Sequence, residues 1–126
     1  MNVGRTPVDT LDQRSLNRAF QALRCLPFRR AFYEALVTNA FSAGDIASAG
    51  HSCSRSQLSA SAVETHLIWL IQLGVLRREV DGQGLTERVR LTPMGLLVLK
   101  RIQGEIPPAD LNSRLHHWIR RHWPRA

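Results

Sequence analysis

Apolar residues recur at helical spacing most clearly between Leu58 and Leu76, where Val63, Leu67, Leu70 and Gly74 fall on one stripe at about 100° per residue. Ser61 is followed three residues later by Glu64, the form of a capping box in which hydroxyl and carboxylate each satisfy an orphan amide. Gly74 comes where this helix must stop, because glycine enters the left-handed C′ conformation without steric cost. Beyond it the pattern changes to alternation. Val75–Val80 and Thr86–Leu91 read as two strands around a tight turn at Asp81-Gly82-Gln83-Gly84. Thr92-Pro93 then supplies the N-cap and first residue of a helix running to about Gln103. Its apolar positions are Leu96, Leu97, Leu99 and Ile102.

Upstream, residues 1–9 carry no such pattern and are expected to be flexible. Thr10 with Gln13 repeats the capping-box spacing, and Leu11, Leu16, Phe20 and Leu23 mark an amphipathic N-terminal helix within 10–26. Arg14 and Arg18 lie four apart on its polar face. Pro27 breaks the chain and can open the next helix, Phe28 to Asn39, with Phe28, Phe32, Ala35 and Leu36 on one face. Ser42 and Asp45 cap a short third helix reaching Ser48, with Ile46 and Ala47 turned inward. The polar, serine-rich run Gly50–Gln57 is expected to be an exposed loop. Gly104 to Pro108 stops the chain's next helix. Residues 108–123 predict a C-terminal helix with Leu111, Leu115, Trp118 and Ile119 on one face.

The residues Leu58-Ser59-x-Ser61-x-Val63-x-x-His66-Leu67-x-x-Leu70-x-x-x-Gly74-Val75-Leu76, then Leu91-Thr92-Pro93-x-Gly95, resemble the second half of a winged helix-turn-helix domain. Order and spacing are similar to transcription regulators of the MarR, ArsR and PadR type. The run from Glu64 to Gly95 is also similar to a small cyanobacterial group of winged-helix regulators associated with heterocyst differentiation. The resemblance implies a mainly α fold with a two-stranded β-wing and extra N- and C-terminal helices. In it, 27–104 form the winged-helix core, 59–73 the recognition helix and 75–91 the wing. Two departures stand out. The loop at 50–57 is longer than the three or four residues of a usual helix-turn-helix, and Ile68-Trp69 occupies a place where such regulators commonly carry polar or basic residues.

Composition narrows the function. At 126 residues the chain is one domain with one core. The formal net charge is +7, and Lys100 is the only lysine among the 17 basic residues. Such a surplus attracts polyanions, and arginine meets phosphate bidentately; coding bias explains an arginine preference equally well. No apolar run approaches the length of a membrane span, and the first residues lack the apolar core of a secretory signal, so a cytoplasmic location is expected. Cys25 and Cys53 have no metal-ligand spacing, and read most simply as free thiols. His116, His117 and His122 lack the i, i+4 pairing of a helical zinc site. No phosphate loop or nucleophile elbow is present, and neither an enzyme nor a cofactor is expected.

The resemblance therefore implies a DNA-binding transcriptional regulator acting on double-stranded DNA as a homodimer. The recognition-helix N-terminus nominates Ser59, Ser61 and Thr65 for DNA contacts, with Gln72 farther along. Arg55 in the preceding loop and Gln83, Arg78, Arg88 and Arg90 in the wing are candidate phosphate contacts. Ile68, Trp69, Leu115 and Trp118 are candidates for a dimer or partner surface, unless Ile68 and Trp69 are covered within the chain. Two other readings share parts of this footprint: a winged-helix protein-interaction module without DNA binding, and an RNA-binding accessory factor.

Overall fold

A computed structural model describes residues 7–102 and 104–107, with side chains from Gln13 onward. It is mainly helical, with one two-stranded antiparallel sheet. The order is α1 (Pro7–Cys25), α2 (Arg30–Thr38), α3 (Ala43–Ala49), a single 3-10 turn (Gly50–Ser52), α4 (Ala60–Gln72), β1 (Leu76–Asp81), β2 (Gly84–Leu91) and α5 (Pro93–Lys100). The expected C-terminal helix, with Leu115 and Trp118, lies outside the described residues.

The stripe on α4 is the centre of the core. Val63, Leu67 and Leu70 are fully buried against Leu23, Phe28, Phe32, Leu36, Val75, Val89 and Val98. Each such side chain contributes about 1.5–3 kcal/mol when removed from water. Phe28 and Phe32 stack with ring centres 4.1 Å apart, and Tyr33 and His66 meet the Phe28 ring edge-on. His66 thus packs beside the core.

Gly74, at φ +84°, ends α4 in a Schellman arrangement. The Gly74 amide donates to the Ile71 carbonyl, and the Val75 amide donates to that of Leu70. Two residues later the chain enters the hairpin. Leu76 pairs with Leu91, Arg77 with Arg90, Arg78 with Val89 and Asp81 with Gly84, with one irregularity between Arg78 and Val80. The Asp81–Gly84 pair leaves Gly82-Gln83 as a two-residue turn. A third extended segment touches the sheet at one point: the Phe41 and Val89 amides each donate to the other's carbonyl, at 3.2 and 2.8 Å. Thr92 locks the hairpin base to α5. Its hydroxyl donates to the Val75 carbonyl at 3.0 Å and accepts from the Gly95 amide at 3.0 Å.

Several local expectations are corrected. Ser59 caps α4, accepting from the Ala62 amide at 3.1 Å, so Ser61 and Glu64 form no capping box. Helix α1 begins at Pro7, which puts Thr10 inside it and makes residues 7–9 helical. Pro27 does not open α2. Phe28 instead pairs with Ser54 as a β-bridge, and the helix starts at Arg30. The amide of that first residue is satisfied from afar, donating to the Glu105 carboxylate at 2.8 Å. Helix α5 ends at Lys100, where the Arg30 guanidinium donates to the carbonyls of Leu99 and Gly104. The capping box at Ser42 and Asp45 forms as expected, both bonds being present.

Candidate nucleic-acid interface

Three elements converge on an open groove of about 830 Å³. The first turn of α3 contributes Ser42 to Gly44, the first turn of α4 contributes Ala60 and Ser61, and the hairpin contributes Leu85 to Glu87. Both helices present their N-termini here. Their unsatisfied amides and aligned peptide dipoles make this end of each helix weakly positive.

Across the groove runs an ion pair. Arg78 Nη2 lies 2.6 Å from Glu64 Oε2, and Nη1 also donates to the Glu87 carbonyl at 3.0 Å. Arg78, expected to contact phosphate, is therefore engaged within the chain. Arg90 is likewise held, its Nε donating to the Glu79 carboxylate. That bond, with the help of Arg90's charge, holds the Glu79 carboxyl below the usual carboxylate range. The hairpin sets four arginines against three carboxylates, Glu79, Asp81 and Glu87. Two of its guanidinium groups, those of Arg77 and Arg88, have no carboxylate partner among the described residues.

The long loop before α4 is largely exposed, as its composition predicts, and is also tied to the rest of the chain. The Arg55 amide donates to the Pro27 carbonyl, and its guanidinium donates to the Leu26 carbonyl, each at 2.7 Å. Arg55 is thereby spent on joining this loop to the α1–α2 connection. Ser54 is buried by the same contact. Burial of the nearby Cys53 pushes its thiol pKa up, which suits an unreactive free cysteine.

On α4 the nominated side chains separate by role. Ser59 is occupied as the cap, and the Thr65 hydroxyl donates to the Ser61 carbonyl at 3.1 Å. Ser61, Thr65 and Gln72 are exposed, as is Gln83 at the hairpin turn. The helix carries no arginine or lysine. Trp69 packs partly against the core, whereas Ile68 is 44% exposed. The hairpin adds Val80 at 58% and Leu85 at 76% exposure, so its tip is apolar as well as charged. Arg88 lines a second hollow of about 470 Å³ together with Phe32 and Ile46, between α2 and α3.

Sequence reading missed Glu64 and Glu79 as partners of the hairpin arginines. Alternation reports which face a residue occupies and says nothing of what reaches it from another element. Among the described residues, no group of histidine, cysteine, aspartate and glutamate could hold a metal ion. No described helix is long and apolar enough to cross a membrane.

A family model described as Npun_F0494-like matches residues 9–121. No curated protein and no solved structure matches the chain.

Proposed function

The chain belongs to the Npun_F0494-like family, and we propose that it is a winged helix-turn-helix transcriptional regulator that binds double-stranded DNA. The observation that carries this reading is the groove in which the first turn of α4 faces the hairpin. The order α2, extended Phe41, α3, α4, β1, β2 supports it, because that is the order of a winged helix, with the Phe41–Val89 bridge as its minimal third strand. On this reading α4 offers Ser61 and Thr65 to base edges or phosphates, and Gln83 touches the backbone from the wing tip. Arg77 and Arg88 replace Arg78 and Arg90 as the phosphate-anchoring pair, since the latter two are held by carboxylates. The protein acts in the cytoplasm as a homodimer with Ile68 at the seam, an arrangement that doubles the contacts of a small reader. Trp69 is assigned to the core side of that seam.

Selection of bound duplexes from a random library, followed by footprinting, tests the reading. A recurrent motif is expected, with protection lost when Thr65 becomes alanine and Arg77 and Arg88 become glutamine. A library recovered without sequence bias, or protection indifferent to these substitutions, would overturn it. Light scattering coupled to size exclusion tests the seam, with Ile68→Glu expected to convert dimer to monomer.

One set of observations favours a protein-interaction module instead. Helix α4 bears no cation, its Glu64 faces the groove, and Ile68, Val80 and Leu85 are exposed apolar side chains. Absence of duplex binding at low salt would select that second reading.

A further inference from the structure

The groove and its hairpin are nearly balanced in charge, so the chain's positive surplus must reside elsewhere. Much of it gathers where α1 packs on α5. Arg14 and Arg18 are exposed on α1, and Lys100 and Arg101 are exposed at the end of α5. None of these four has a carboxylate partner among the described residues.

The cluster is partly ordered in advance. The Arg101 guanidinium lies over the Phe20 ring, 5.7 Å from its centre, and donates to Asn17 Oδ1 at 3.4 Å. Arg24 approaches the same ring at 5.9 Å while its Nε donates to the Pro107 carbonyl. Stacking on an aromatic face holds a guanidinium in place while leaving N–H donors directed outward, so less side-chain entropy is lost when an anion arrives. Arg14 and Arg18 sit within one turn of Asn17 on α1. None of these residues lines the groove between α4 and the hairpin.

We infer that the α1–α5 face is a second nucleic-acid surface, one that takes the phosphate backbone without regard to sequence. Arg14, Arg18, Lys100 and Arg101, exposed and without a carboxylate partner among the described residues, suit a ladder of phosphates, whose neutralisation releases counterions. Exposed aromatic rings for stacking unpaired bases are lacking on the described part of this face, which favours duplex over single strand. The inference deepens the regulator reading, on which it rests for the identity of the polyanion. It divides the labour: this face supplies general affinity, and the α4 groove supplies preference.

The test uses the whole chain with Arg14, Arg18 and Lys100 all changed to glutamine. None of these side chains makes a hydrogen bond described above, and unchanged thermal melting controls for folding. Affinity for a random-sequence DNA duplex is measured against salt. The slope of log affinity on log salt is expected to become shallower by roughly two to three, about 0.9 for each phosphate contact removed. The preference recovered by library selection should persist. An unaltered slope overturns the inference and leaves the regulator reading standing. A shallower slope in a protein that shows no sequence preference keeps the inference and removes the regulator reading. Failure of the wild-type chain to bind duplex at low salt overturns both.

Discussion

Arg78 and Glu64 join the hairpin to α4 through two hydrogen bonds, Nη2 to Oε2 at 2.6 Å and Nη1 to Oε1 at 3.4 Å. The pair is part-exposed, so its worth to stability is at most about 1 kcal/mol. Its larger consequence is electrostatic, because it neutralises a cation of the groove with a carboxylate that also lines it. Glu64→Gln is expected to strengthen duplex binding by about threefold to tenfold at low salt, since one repulsive charge disappears and Arg78 is loosened. Fluorescence anisotropy with a short random duplex measures this. Equal or weaker binding would mean the groove does not face DNA.

Gly95 is constrained by packing. A Cβ there would run into the Val75 carbonyl oxygen and come within 2.9 Å of Leu91 Cδ1. The carbonyl cannot move cheaply, as Val75 leads into β1 and its oxygen accepts from both the amide and hydroxyl of Thr92. Gly95→Ala should therefore cost about 1–3 kcal/mol, as over-packing does elsewhere. Chemical denaturation gives the number. A loss below about 0.5 kcal/mol, the level of an ordinary surface substitution, would show that α5 is not seated this closely on the hairpin base.

Tyr33 carries the opposite expectation. Its side chain is fully buried, and its hydroxyl has no hydrogen-bond partner among the described residues. Desolvation pushes its ionisation far above the ordinary tyrosine value. An unpaired buried hydroxyl carries a desolvation penalty of about 1–3 kcal/mol, so Tyr33→Phe should be neutral or stabilising. A fall in melting temperature would reveal that the hydroxyl is bonded in solution.

Acid should weaken the fold through two carboxylates. Glu105 is held below the usual range first by the Arg30 amide, then by the Ile106 amide and Arg29; Glu79 is held there by Arg90. A group whose folded pKa is depressed adds stability above its unfolded pKa, about 4.3 for glutamate, and that stability drains away as pH falls through the folded value. Melting temperature is thus expected to be flat near neutrality and to drop below about pH 4.5 on this account. In the double variant Glu79→Gln, Glu105→Gln the drop should be smaller, from a lower starting point. An equal acid drop in wild type and variant would remove these two groups from the account.

How much of this was legible beforehand depends on whether a feature is local. The apolar stripe Val63, Leu67, Leu70, the stop at Gly74, the hairpin around Gly82-Gln83 and the Thr92-Pro93 start all appear at their expected places. The cap was misjudged by two residues because Ser59 and Ser61 offer the same hydroxyl. Only the point where the chain leaves extended geometry chooses between them.

The order of the chain's residues by itself determined the buried stripe on α4, the hairpin and the start of α5, because period and capping chemistry act over a few neighbours. Only the tertiary structure decided which arginines are spoken for: Arg55 on the Leu26 carbonyl, Arg78 on Glu64, Arg90 on Glu79, with Arg77 and Arg88 lacking a carboxylate partner among the described residues. A guanidinium reaches about 6–7 Å from its backbone along a flexible side chain. Its partner is therefore set by which distant elements fold close to it, and no local pattern in the sequence records that.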